Sequence, residues 1–163
     1  MANTQSMCTS FMSELMYGYH QFGAPTLTSR GSLTAPTNDT FKGALYLASA
    51  TINASTTAYS ATGEVTGTGY SAGGVAVTNA TAPTYSNTSS TAGVAYWTPS
   101  ASLTYTTVTL TTAFDTVLIY NSTQGNRAVS VHTFGSQTIT AGTFTLTMPS
   151  NTTSTALLRF ATT

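Results

Sequence analysis

The sequence predicts an all-β protein: an antiparallel, jelly-roll-like β-sandwich preceded by a short N-terminal α-helix. Three observations carry this reading. From Asp39 onward, apolar residues alternate with threonine or another polar residue over short runs, which is the period of a half-buried strand. Gly, Asn, Ser and Pro gather between those runs, as in EVTGTGYSAGG, YNSTQGN and MPSN, and such clusters mark turns. No helical run separates one strand from the next, which argues against a parallel α/β sheet.

Residues 4–22 (TQSMCTSFMSELMYGYHQF) read as the helix. Met7, Phe11, Leu15, Tyr19 and Phe22 recur at spacings of four, four, four and three, and Met12, Met16 and His20 widen that stripe. Ser6 or Thr9 is the candidate N-cap, Gly23 followed by Pro25 is the expected stop, and Gly18 weakens the middle. Two readings of the apolar stripe stand side by side: a helix docked on its own domain, or an arm that docks on a neighbouring subunit. The methionines favour a buried contact of either kind, because Met adapts to irregular surfaces. On the second reading the partner-binding residues are Met7, Phe11, Leu15, Met16, Tyr19 and Phe22.

Residues 24–38 (APTLTSRGSLTAPTN) form a polar connector in which two prolines and a glycine oppose regular structure. The chain therefore divides into 1–38, helical arm and connector, and 39–163, the sandwich. Within the sandwich, strands are expected at 41–47, 74–78, 94–97, 103–110, 116–120, 127–134, 143–148 and 156–160. Threonine suits their solvent face: its β-branch stiffens χ1 and its hydroxyl meets water.

Charge is the scarcest commodity in this sequence. Of 163 residues, four are Lys or Arg and four are Asp or Glu, or 5%, against about 25% in an average domain. Free proteins rely on surface charge to stay apart, so a surface of hydroxyls and methyls suits a molecule packed among copies of itself or against a partner. Arg30, Lys42, Arg127 and Arg159 are too scattered to form a basic footprint, so no nucleic acid is expected. No apolar run approaches the ~18 residues of a membrane span. The first residues lack the basic and apolar regions of a signal peptide, so synthesis in a cytoplasm is expected. Cys8 stands alone, excluding an intrachain disulfide.

The same scarcity starves catalysis. Glu14, Asp39, Glu64 and Asp115 fall on separate elements, and no spacing brings two together as a glycosidase pair requires. His20 and His132 lie on different elements, with too few further ligands for zinc. No G-x-S-x-G elbow is present. Gly67, Gly69, Gly73 and Gly74 have G-x-G-x-x-x-G spacing with no helix after it, the pattern of a turn-rich loop and not of a phosphate cradle. No catalytic residue, cofactor or metal is expected. Trp97 and nine tyrosines could stack on sugars, but in strands such residues chiefly fill a core.

At DTFKGALY (39–46), TAY (57–59), GEVTGTGYSAGG (63–74), LIYN (118–121), NRAV (126–129), FG (134–135), GTFT (142–145) and the closing 156–160 strand, the chain resembles a widespread group of small virion structural proteins of tailed bacteriophages. SFMSELMYGYHQF is similar as well, and the resemblance covers nearly the whole chain. It departs in having fewer charges, most of all across 82–101. The resemblance implies a structural component of the particle with no catalytic residues. The expected role is capsid decoration or cement, binding the major capsid protein or other virion structural proteins, as a dimeric or trimeric homo-oligomer located in the virion. A neck, tail or fibre-adaptor protein is the alternative, and a glycan-binding host-attachment module a further one.

Overall fold

The structure is a computed structural model that describes residues 3–23, 37–79, 81–87 and 93–162. It is an all-β sandwich of two antiparallel sheets with one short helix near the N-terminus. The elements are β1 (Ser6–Met7), α1 (Thr9–Met16), β2 (Phe41–Leu47), β3 (Val75–Val77), β4 (Thr84–Asn87), β5 (Gly93–Trp97), β6 (Leu103–Asn121), β7 (Arg127–Leu146) and β8 (Leu158–Ala161). One sheet runs in the order β1-β7-β6-β2-β3 and the other in the order β4-β5-β8. Most of the 24–38 connector lies outside the described residues.

The expected strand at 41–47 coincides with β2. Elsewhere the partition differs. The segments 103–110 and 116–120 are parts of one strand, β6, and 127–134 and most of 143–148 are parts of β7. Thr111, Thr112 and Ala113, which read as a gap, are exposed strand residues at a series of register shifts. Bulges such as these bend a strand without ending it. β1 and β4 were not expected from the pattern; both are short, β1 half-buried and β4 mostly exposed.

The bends fold the β6–β7 hairpin back on its own sheet. A Cβ built on Gly43 would meet Leu103 Cδ1 at 2.5 Å and Val117 Cγ2 at 3.3 Å. Fourteen residues of straight strand would separate those two by about 46 Å. The far half of the hairpin therefore lies over the near half, and Gly43 supplies the side-chain-free floor. Tyr105 donates its hydroxyl to the Gly43 carbonyl at 2.8 Å. Phe114 and Phe144 pack edge to face at 5.2 Å inside the bend. The opposite face of the near half is covered by the 48–74 segment, so Thr116–Asn121 is buried on both faces and loses the alternation seen at Leu103–Val108.

That covering segment is laced by a buried carboxylate. Glu64 accepts hydrogen bonds from Tyr59 Oη at 2.6 Å, Tyr70 Oη at 2.7 Å and the Gly73 amide at 2.7 Å. Burial and this neighbouring carboxylate raise the pKa of both phenols, so they remain donors. Gly74, at φ +74°, sits directly against β2, where a Cβ would overlap the Gly43 carbonyl oxygen.

The helix is shorter than its sequence pattern. It ends at Gly18, φ +72°, in a Schellman motif: Gly18 N–H donates to the Leu15 carbonyl and Tyr19 N–H to that of Glu14. The stop is therefore Gly18 and not Gly23, and Tyr19, His20 and Phe22 belong to an irregular return. The predicted contrast follows from space. Gly18→Ala faces nothing within 4 Å and should cost only about 1–2 kcal/mol of backbone strain. Gly74→Ala should lower the melting temperature far more, because it must expel the loop from β2. Thermal denaturation of the two variants checks the order.

Candidate functional site

The N-terminal segment carries every residue singled out as partner-binding, and the structure divides them. Phe11 and Phe22 are in the protein's own core, 0% and 8% exposed. Phe11 meets His20 at 4.9 Å and Phe22 at 6.0 Å, while Phe22 stacks on Phe41 at 4.5 Å and meets Trp97 at 4.7 Å. Neither is available to a partner. Met7, on β1, and Leu15 are partly buried against the same core. Met16 is 85% exposed and Tyr19 43%. The reason is the shortened helix. Within α1, Phe11 and Leu15 form the inward row, and Met12 and Met16 form the adjacent outward row. Tyr19 and Phe22 follow the turn at Gly18 and obey no helical period.

What remains outside is a set of exposed apolar side chains on α1 and the turn after it. Met12 and Met16 stand beside Tyr17, which is 75% exposed and stacks on Tyr19 at 5.7 Å. Between α1 and the smaller sheet lies a groove of about 200 Å³ floored by Phe11, Trp97 and Leu158 and walled by Leu15, Pro83 and Phe160. Tyr85, Ala95 and Phe160 are in cross-strand register on one face of that sheet. Tyr85 is 76% exposed and Phe160 37%, so the groove opens onto further apolar surface. Trp97 is buried, with its indole N–H donated to the Thr81 carbonyl at 2.7 Å, and is not displayed for sugar stacking.

Beneath this surface is a polar cluster that spacing did not reveal. Glu14, on the inner face of α1, accepts from Arg127 Nη1 at 2.6 Å and from His20 Nε2 at 2.8 Å. The Asn121 side-chain amide lies 3.1 Å from His20 Nδ1 and donates to Asp39 Oδ2 at 2.7 Å. Asn121 Oδ1 accepts from the Thr123 and Gln124 amides, which fixes the orientation of the amide. His20 Nδ1 must then accept, so Nε2 carries the proton and the ring is neutral. Two carboxylates, Glu14 and Asp39, are thus linked through a histidine and an asparagine without touching one another. The signal available in the sequence was rarity: in a chain with eight charges, each one that lies on a buried face needs a partner.

This cluster fastens the N-terminal segment and does not present a reactive group. The His20 side chain has no exposed surface. The Arg127 guanidinium closes the cluster from outside and lies 4.5 Å from the centre of the Tyr19 ring. Cys8 is fully buried, and burial followed by the Glu14 charge pushes its thiol up to about 12, so it stays protonated. His132 lies on β7, hydrogen-bonded to Ser130 Oγ at 2.8 Å. Among the described residues, no group of three His, Cys, Asp or Glu side chains is placed to hold a metal ion, and no helix is long and apolar enough to cross a membrane.

Two outcomes are expected. Phe11→Ala should cost about 3–5 kcal/mol of stability, the range for truncating a buried phenylalanine, read by chemical denaturation. Acid should weaken the fold through both histidines. Burial holds the His20 imidazole below the ordinary histidine value, outweighing the Glu14 hydrogen bond, and pushes His132 down to about 4. Below about pH 6.5 the unfolded chain therefore binds more protons than the native one, and stability falls as pH drops. Thermal melts taken from neutral pH down to about pH 4 should show that decline, and His132→Gln should flatten it.

Comparison with family models, with curated proteins and with solved structures finds no match to this chain.

Proposed function

We propose that this protein is a structural component of a tailed-phage particle, and that it works by adhesion as a capsid decoration or cement protein. The observation that carries the reading is the set of exposed, uncharged apolar side chains on α1 and the turn after it, Met12, Met16 and Tyr17, together with the apolar groove that Phe11 and Leu15 of α1 line with Phe160. Isolated exposed apolar residues are ordinary, but several on one short helix that also lines an apolar groove mark a contact surface. Its partner is a similarly uncharged apolar patch on a coat subunit, because no Lys, Asp or Glu lies among the groove residues and Arg127 is already engaged by Glu14 and Tyr19. Covering such a surface is favourable by about 25 cal/mol per Å² of apolar area. Repetition over a lattice then makes modest single contacts effectively permanent.

The phage resemblance supplies the particle, and the surface supplies the means of attachment. A neck, tail or fibre-adaptor position would use the same surface at low copy number. Quantitative mass spectrometry of purified particles separates these: copies in proportion to the coat protein support decoration, and a handful per particle moves the site to neck or tail.

The surface has its own test. Met12→Asp combined with Met16→Asp should abolish co-sedimentation with shells lacking the protein. The cooperative melt should stay within about 0.5 kcal/mol of the parent, as for exposed substitutions generally. Attachment that survives both aspartates would exclude this surface.

A further inference from the structure

The outer side of β7 is open over most of its length. β1 covers only Ser130 and Val131. From His132 to Leu146, β7 pairs with β6 alone among the described residues, and the additional backbone contacts stay within the same hairpin: the Ala141 amide donates to Thr109 Oγ1 and the Gly135 carbonyl accepts from Gln137 Nε2. From Thr133 to Leu146 every residue is half-buried or exposed. Outward-pointing N–H and C=O groups along such an edge are a template for another strand.

Natural edges are usually guarded by charge, proline or bulges. This one has no charged residue from Ala128 to Leu158, and no proline before Pro149. Bulges do interrupt it: register shifts run from Tyr105 to Thr116 on β6, the first of them opposite Phe144 and Gly142, and Ala141 on β7 has φ +47°. Beyond them the ladder is regular again, with Tyr105 opposite Phe144, Thr104 opposite Thr145 and Leu103 opposite Leu146. At that first shift the extra residue is on β6, three steps from Tyr105 to Val108 against two from Phe144 to Gly142, so β7 itself carries no extra residue over Gly142–Leu146, where Thr143 and Thr145 are exposed on one face and Phe144 and Leu146 turn toward the other.

We infer that two copies of this chain pair edge to edge along that stretch, antiparallel about a two-fold axis at Phe144, joining two hairpins into one continuous four-stranded layer. The occupant is a second copy because the stretch is complementary to itself. An antiparallel pairing about Phe144 sets Thr143 of each copy opposite Thr145 of the other, which is the isologous arrangement a two-fold demands. Threonine pairs across strands are favourable, and no like charges meet. The inference does not rest on the particle reading, since it concerns the free protein.

The experiment uses the full chain in solution. Light scattering behind size-exclusion chromatography should show a dimer that dissociates on dilution. Amide exchange should show the Gly142–Leu146 amides becoming protected as concentration rises. Thr143→Lys with Thr145→Lys sets lysine against lysine and should give a monomer with an unchanged melt, as should the corresponding pair of glutamates. An equimolar mixture of the lysine and glutamate variants should restore a mixed dimer, an effect that simple damage to the strand would not produce. A parent chain that stays monomeric at every concentration, a trimer, a lysine variant that remains dimeric, or a mixture that fails to associate would each overturn the inference.

Discussion

The constraint on which this molecule depends is the return of one long hairpin onto its own sheet. β6 and β7 are 19 and 20 residues long, well beyond the usual strand of about five or six. Left straight, they would expose an apolar face at each end. Folded, they place Leu103, Tyr105, Phe114 and Val117 in one core with Phe41 and Leu45. The fold is possible only because β2 has no side chain at Gly43, where the returning strand comes closest. Bulges do the bending, and positive φ at Thr107 and Ala141 shows where the strands give way. The smaller sheet, α1 and the 48–74 segment then cover the faces that the hairpin leaves open.

Few charges are present, and several are consumed inside. Glu14 and Arg127 satisfy one another, Asp39 is held by Asn121, Gln124 and the Gln21 amide, and Glu64 is held by two phenols and an amide. An ionised group taken out of water is tolerated only with such partners. The consequence is a surface even less charged than the composition implies. A fold that spends its carboxylates on fastening its own loops leaves hydroxyls, methyls and aromatic rings to meet other molecules, which agrees with a role in assembly.

The N-terminal segment joins these two themes. Phe11, Phe22 and the Glu14–His20–Asn121–Asp39 chain fix it to the sandwich. Because it is fixed, Met12 and Met16 are presented on a rigid helix and not on a mobile arm. Ordering a flexible segment on binding costs entropy that a pre-ordered surface avoids. Arm and domain are thus one packed unit in their described parts, and the stripe read from the sequence is both a core contact and a candidate contact surface, divided along its length.

Local pattern was enough to place the all-β class, the 41–47 strand, the turn-rich glycine loop and the existence of a helix near the N-terminus. Each of these depends on neighbours in the chain: alternation of side chains across a strand, or the conformations glycine permits. The helix boundary was harder, because Gly18 ends it by a left-handed cap while the apolar residues beyond happen to continue a helical spacing. What only the tertiary structure decided is everything that brings distant residues together. The merging of strand pairs into one folded hairpin, the meeting of Glu14 with Arg127 and of His20 with Asn121, and the sorting of the N-terminal stripe into buried Phe11 and exposed Met16 all join positions far apart in the chain or set by packing. A bulge lets a strand continue through residues that look like a gap, and a buried charge chooses its partner by proximity in space, so neither leaves a periodic mark on the sequence.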